Sequence, residues 1–284
     1  MSRDRCFSFW ESAFETIHFS RYHGLARLAC LPPVCRLPID TFALHVMTLL
    51  PLLIVQVGTP PDEVRNAHGD LPDWFCRALE RPRHSVEVVR VFEGEALPAP
   101  DVSRVAVITG AWSMVTDLLP WSETTAQWIR DAMKVGMPLF GVCYGHQLMA
   151  HALGGRVDYP LQGREFGCKP ITLLPAAASD ALFEDCPATF AAHLAHEQSV
   201  IELPPDAQVL AYSDQDPHQV VRYGPNAIST QFHPEFSTAV SAALIKRRAD
   251  DLRADGNDLD EMLLALEDTR HAGQLLRRFV ESFR

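Results

Sequence analysis

The run Pro138-Leu139-Phe140-Gly141-Val142-Cys143-Tyr144-Gly145 joins an apolar strand directly to a turn and a helix, and few folds accommodate that order. Leu139–Val142 is short and wholly apolar, the pattern of a strand covered on both faces. Cys143 follows, flanked at two-residue spacing by Gly141 and Gly145, and a helical stretch runs from there to Gly154-Gly155. A glycine-flanked nucleophile between strand and helix has the geometry of a nucleophile elbow. The turn is tight, so its neighbours must lack side chains, and it lifts the sulfur above the sheet edge.

The surrounding sequence repeats the strand–helix rhythm. Strands are expected at Leu52–Val57, Val86–Val91, Val105–Thr109 and Leu139–Val142. Helices are expected at Leu71–Leu79 and Thr124–Val135, the second with Trp128, Ile129 and Met133 on one stripe. Such alternation builds a mostly parallel sheet with helices on both faces, whose sites lie outside the carboxyl ends of its strands. Residues 156–223 shift to shorter strands, Ile171–Leu174, Gln208–Tyr212 and His218–Arg222, separated by turn signals such as Leu203-Pro204-Pro205-Asp206. These are expected to form a small antiparallel subsheet. Ala227–Phe232 reads as a further strand, and Ser237–Arg284 as helical. The domain plan is therefore a poorly ordered extension over 1–46, a catalytic domain over 47–240 and a C-terminal helical segment over 241–284.

Composition narrows the function class. With 25 basic against 36 acidic residues the net charge is -11, and no Lys/Arg-rich block interrupts it, which argues against nucleic-acid and anionic-membrane surfaces. Residues 41–57 are apolar enough to resemble a membrane segment, but His45 and Pro51 interrupt them, and a tail followed by a strand is expected. Seven cysteines without regular spacing do not form a disulfide framework, so a reducing cytoplasmic setting is expected, in which a catalytic thiol survives.

Cys143 needs a base, and the base needs an orienting group. His233-Pro234-Glu235, at the end of the last expected strand, supplies both. The helix after Cys143 also directs its partial positive end at the sulfur. Acyl transfer further requires donors for the oxyanion. The backbone N–H of Tyr144 is one, and Gly110-Ala111, at the carboxyl end of the third strand, offers a second. His193 and His196 are spaced as metal ligands are, but no second cluster completes a set, so no metal and no cofactor are expected.

Gly141-Val142-Cys143-Tyr144-Gly145-His146-Gln147 with a distant His233-Pro234-Glu235 resembles the class I, triad-type glutamine amidotransferases, from about Leu52 to the end of the His-Pro-Glu segment. The likeness is greatest to free-standing members related to the amidotransferase part of GMP synthase. It implies a flavodoxin-like α/β fold and hydrolysis of the glutamine side-chain amide through a γ-glutamyl thioester on Cys143. It implies Gly110, Gln147, Glu165 and Gln198 as glutamine contacts, the last two from the segments Gly163–Gly167 and His196–Val200. Where many members have Gly-Gly-Pro this chain has Gly110-Ala111-Trp112, and Glu197-Gln198 stands where Gly or Asp is common. No synthetase half follows residue 236, so ammonia is expected to pass to a separate synthetase partner. The alternatives are a γ-glutamyl peptidase acting on glutathione-like conjugates and a non-catalytic regulatory module of the same fold.

Overall fold

The computed structural model describes residues 49–284, so the extension expected over 1–46 lies outside the described residues. The strands are β1 (Leu52–Gln56), β2 (Val86–Arg90), β3 (Val105–Ile108), β4 (Leu139–Val142), β5 (Arg156–Asp158) and β6 (Glu165–Leu173). They continue with β7 (Thr189–His196), β8 (Ser199–Glu202), β9 (Gln208–Tyr212), β10 (Val220–Gly224) and β11 (Ala227–Thr230). The helices are α1 (Asp62–His68), α2 (Leu71–Ala78), α3 (Pro120–Val135), α4 (Tyr144–Ala152), α5 (Thr238–Arg247), α6 (Ala249–Ala254), α7 (Leu259–Leu264) and α8 (Arg270–Glu281).

Nine strands form one sheet in the order β2-β1-β3-β4-β11-β10-β9-β6-β7. The first five are mutually parallel and the remaining pairings are antiparallel. The strands expected to make a subsheet thus extend the main sheet, and β5 with β8 makes the separate antiparallel ribbon. The antiparallel half curls back: His233, just beyond β11, forms a single antiparallel bridge with His193 of β7. That closure brings the outermost strand over the end of β4, where Cys143 lies.

Helices cover both faces of the parallel half, as the alternation of side chains along β1 requires. Leu52 and Ile54 join a buried cluster with Phe75 of α2 and Leu275, Leu276 and Phe279 of α8. Leu53 and Val55 join the opposite cluster, with Ile129 of α3 and Leu148 and Met149 of α4. Phe279 packs edge-on against Phe140 at 5.3 Å, and burying such a side chain stabilises by about 1.5–3 kcal/mol. Asp70 caps α2 in a reciprocal pair with Asp73, and Gly136 stops α3 in the left-handed conformation. The C-terminal region expected to be helical consists of the four helices α5 to α8, and residue 240 falls within α5, where Val240 and Leu244 are buried with Leu71 and Phe236.

Candidate active site

Cys143 lies between β4 and α4 with φ 52° and ψ -100°, a conformation that non-glycine residues rarely adopt. The turn is held from both sides: Cys143 N–H donates to the Thr230 carbonyl at 2.8 Å and Gly145 N–H to the Thr109 carbonyl at 3.1 Å. Both flanking glycines are sterically required. A Cβ on Gly141 would stand 2.6 Å from the Gly145 carbonyl oxygen, and one on Gly145 would stand 2.5 Å from that of Ile108. The two glycines therefore let α4 lie directly on β3 and β4 with Cys143 at the crest.

His233 reaches the same point from β11. Its backbone N–H donates to the His193 carbonyl at 2.9 Å, and its ring stacks on Phe236 at 3.8 Å and 12°. An atom placed where the Cβ of Gly110 would be lies 3.1 Å from His233 Cε1 and 3.6 Å from Cys143 Cβ, so a single missing methyl group separates the three residues. His233 Nδ1 is 2.8 Å from Glu235 Oε1, and both groups are buried. Burial works against a charged imidazole, but the charges and hydrogen bonds of Glu235 and Cys143 outweigh it and raise the His233 pKa to about 10. An imidazolium held between a carboxylate and a sulfur is the outcome.

These groups open on a cavity of about 720 Å³, its mouth included. Of the residues expected at the site, Gly110, Ala111, Tyr144, Gln147 and Gln198 line it along with Cys143 and His233. The Tyr144 side chain points inward, its hydroxyl 2.7 Å from Ser122 Oγ. As the first residue of α4, Tyr144 also carries a backbone N–H without an intrahelical partner. Gln147 Nε2 donates to the Gln198 carbonyl at 2.6 Å and to Gln231 Oε1 at 2.9 Å. The Gln198 side chain is fixed by Thr116 Oγ1 at 2.6 Å, which leaves its buried Oε1 without a partner.

Two expected residues do not line the cavity: Glu235, which stands behind the His233 ring, and Glu165. For Glu165 the reason is that β6 turns its carboxylate into the interior, 3.1 Å from His196 Nε2 and 2.9 Å from Gln219 Nε2. His196 does line the cavity, and its Nδ1–H donates to the Gln198 carbonyl at 3.0 Å, so Glu165 bears on the wall only through His196. Glu165, His196 and Asp216 bring ligand-type atoms within 4.8 Å of one another, the one such grouping among the described residues. His193, the other histidine of that spacing, is not part of it and is buried.

Sequence reasoning missed other lining residues, among them Leu71, Met114, Ala195, Phe236, Leu244, Arg247 and Arg248, and gave Phe166 no role of its own. The arginines are already ion-paired, Arg247 with Glu63 and Arg248 with Glu197 at 2.7 Å and Asp251 at 2.8 Å. Apart from Met114, the apolar members belong to a cluster under α5 or pack against it, and their role depends on contacts between β6, α2 and α5 that no local pattern reveals. The short, polar α1 buries only Val64, so it has no periodicity to read.

No helix among the described residues is long and apolar enough to cross a membrane. Gamma-glutamyl peptidase 5 of Arabidopsis thaliana is 25% identical over 188 residues, covering 65% of this chain and 75% of that protein. GMP synthase [glutamine-hydrolyzing] of Thermomicrobium roseum is 36% identical over 128 residues, 45% of this chain and 23% of the synthase, so the chain spans under a quarter of that relative. A crystal structure of a glutamine amidotransferase from Thermotoga maritima superposes with a TM-score of 0.65 at 22% identity, covering 81% of this chain and 98% of that one. One from Methylobacillus flagellatus gives 0.63 at 22% identity, covering 84% and 96%. These likenesses establish a shared fold. The family model for glutamine amidotransferase class-I matches residues 66–250, and the chain belongs to that family.

Proposed function

We propose that the chain is a cysteine-dependent hydrolase of γ-glutamyl amide bonds, with glutamine as the first substrate. The observation that carries this reading is the meeting of Cys143, His233 and Glu235 at one rim, although ninety positions separate the cysteine from the histidine. His233 takes the thiol proton, and the sulfur attacks the γ-carbonyl carbon. Charge then develops on the carbonyl oxygen, where the backbone N–H groups of Tyr144 and Ala111 receive it. His233 returns the proton to the departing nitrogen, the C–N bond breaks, and a γ-glutamyl thioester remains. Water, losing a proton to His233, hydrolyses the thioester and releases glutamate. Glu235 holds the imidazole in the required orientation and stabilises its cation. Gln147 and Gln198 serve the amino-acid end of the substrate, and Glu165 serves it indirectly by holding His196.

In the amidotransferase form of this activity the ammonia passes to a separate synthetase. A second form, cleavage of γ-glutamyl peptides, is favoured by the coverage of the Arabidopsis peptidase, 75% of its length against 23% of the synthase. The test is glutamate release from glutamine and from γ-glutamyl peptides, with Cys143→Ala as control. Release by the wild-type protein and none by the variant supports the reading. Undiminished release by Cys143→Ala refutes it.

A further inference from the structure

The protonation step fixes where the departing amine must sit. Its nitrogen receives the proton carried by His233, so any substituent on that nitrogen emerges beside the His233 ring. That ring lies flat on Phe236, and the surface continuing from it is apolar: Leu71, Phe166, Ala195, Phe236 and Leu244 all line the cavity. The wall has firm backing, because Phe236 packs edge-on against Trp74 at 5.5 Å and Leu71, Trp74, Val240 and Leu244 form one buried cluster with it. At the rim, Arg247 and Arg248 are neutralised by Glu63, Glu197 and Asp251, so they create no demand for an anionic group.

Ammonia gains nothing from such a wall. It carries no apolar surface to set against Leu71, Phe166, Phe236 and Leu244, whereas an apolar substituent on the departing nitrogen does. We propose that the substrate class is γ-glutamyl amides whose departing amine carries a bulky apolar group, seated against Leu71, Phe166, Phe236 and Leu244. This deepens the γ-glutamyl thioester reading and rests on it. Cys143 Sγ forms the bond to the γ-carbon, the C–N bond breaks, and the amine leaves with the proton from His233. Water then converts the thioester to glutamate and free thiol, and no other reactant is needed.

The experiment compares kcat/KM of the full chain for glutamine, γ-glutamylglycine, γ-glutamylleucine and γ-glutamylanilide, read as glutamate released. Apolar contacts of one or a few methylenes discriminate by about tenfold or more, so the leucine and anilide substrates should exceed glutamine and γ-glutamylglycine by at least about that factor. Leu244→Asn should reduce the ratio of anilide to glutamine turnover, and because both rates come from one preparation the ratio is independent of how much of the variant folds. Glutamate release in which glutamine or γ-glutamylglycine equals the apolar substrates overturns the inference and leaves the thioester reading standing. An anilide-to-glutamine ratio unchanged in Leu244→Asn also overturns it. No glutamate from any of the four overturns both.

Discussion

Replacing Gly145 with alanine places a methyl group 2.5 Å from the Ile108 carbonyl oxygen and 3.0 Å from its carbonyl carbon and Cβ. Comfortable contacts between heavy atoms begin at about 3.5 Å, so the start of α4 must withdraw from β3 by about 1 Å. The atom met is backbone in a central strand and cannot rotate away. Because Cys143 and Tyr144 ride on that same turn, the sulfur and the proposed oxyanion donor, the Tyr144 N–H, shift relative to His233. Misplacement by 1 Å costs about 10²-fold in rate, and overpacking a close contact costs about 1–3 kcal/mol of stability. For a domain of this size each kcal/mol lowers Tm by about 2–4 °C. Gly273→Ala is the matched control: its Cβ would meet only the Pro234 carbonyl oxygen, at 3.5 Å, inside α8. That variant should be unchanged or slightly stabilised, since alanine is the better helix former by about 1 kcal/mol. The assay is glutamate release at saturating substrate together with a thermal melt of each variant. A Gly145→Ala protein with wild-type kcat and Tm would refute the steric account of the elbow.

Three further outcomes follow from the buried charges. Glu235→Gln keeps the shape beside His233 Nδ1 but removes the charge that favours the imidazolium, so kcat should fall by about 10²–10⁴-fold and the alkaline limb of the pH–rate profile should move to lower pH; an unchanged profile would contradict the assignment. Burial lowers the pKa of His146 to about 3 and of His193 to about 4, so between the ordinary histidine value and those values the unfolded chain binds more protons. Tm should therefore decline as pH falls from about 6.5 towards 4, and a flat acid limb would count against their neutral burial. His233 has the opposite sign: raised to about 10, it contributes stability that is full below about 6.5 and is lost as pH climbs towards 10, a loss Glu235→Gln should reduce.

Much of the parallel half was legible because β1, β3 and β4 are buried on both faces and read as apolar runs: Leu52–Gln56, Val105–Ile108 and Leu139–Val142 lie within a residue or so of their expected limits. The antiparallel half was less legible. Thr189–His196 alternates a buried face of Phe190, Ala192, Leu194 and His196, but two of those four are Ala and His, which carry little hydropathic signal. β6 extends back to Glu165, through a stretch that reads as a loop because it contains Gly167 and ionisable side chains. The helix α4 is buried all round and so shows no periodicity, yet the glycines at its start identified it. At the site, local chemistry was enough to single out Cys143, His233 and Glu235 as candidates, and the fold brings them together. The turning of Glu165 towards His196, the Thr116–Gln198 bond and the apolar wall all depend on contacts 31 or more residues apart, which only the curled sheet creates.

Reaction with a diazoketone analogue of glutamine, followed by peptide mass mapping, interrogates the nucleophile itself. One adduct per chain is expected, on Cys143, suppressed by excess glutamine and greatly slowed in His233→Ala. A folded protein that takes no adduct, or takes it on Cys76, Cys168 or Cys186 while Cys143 stays free, would contradict the assignment of Cys143 as nucleophile.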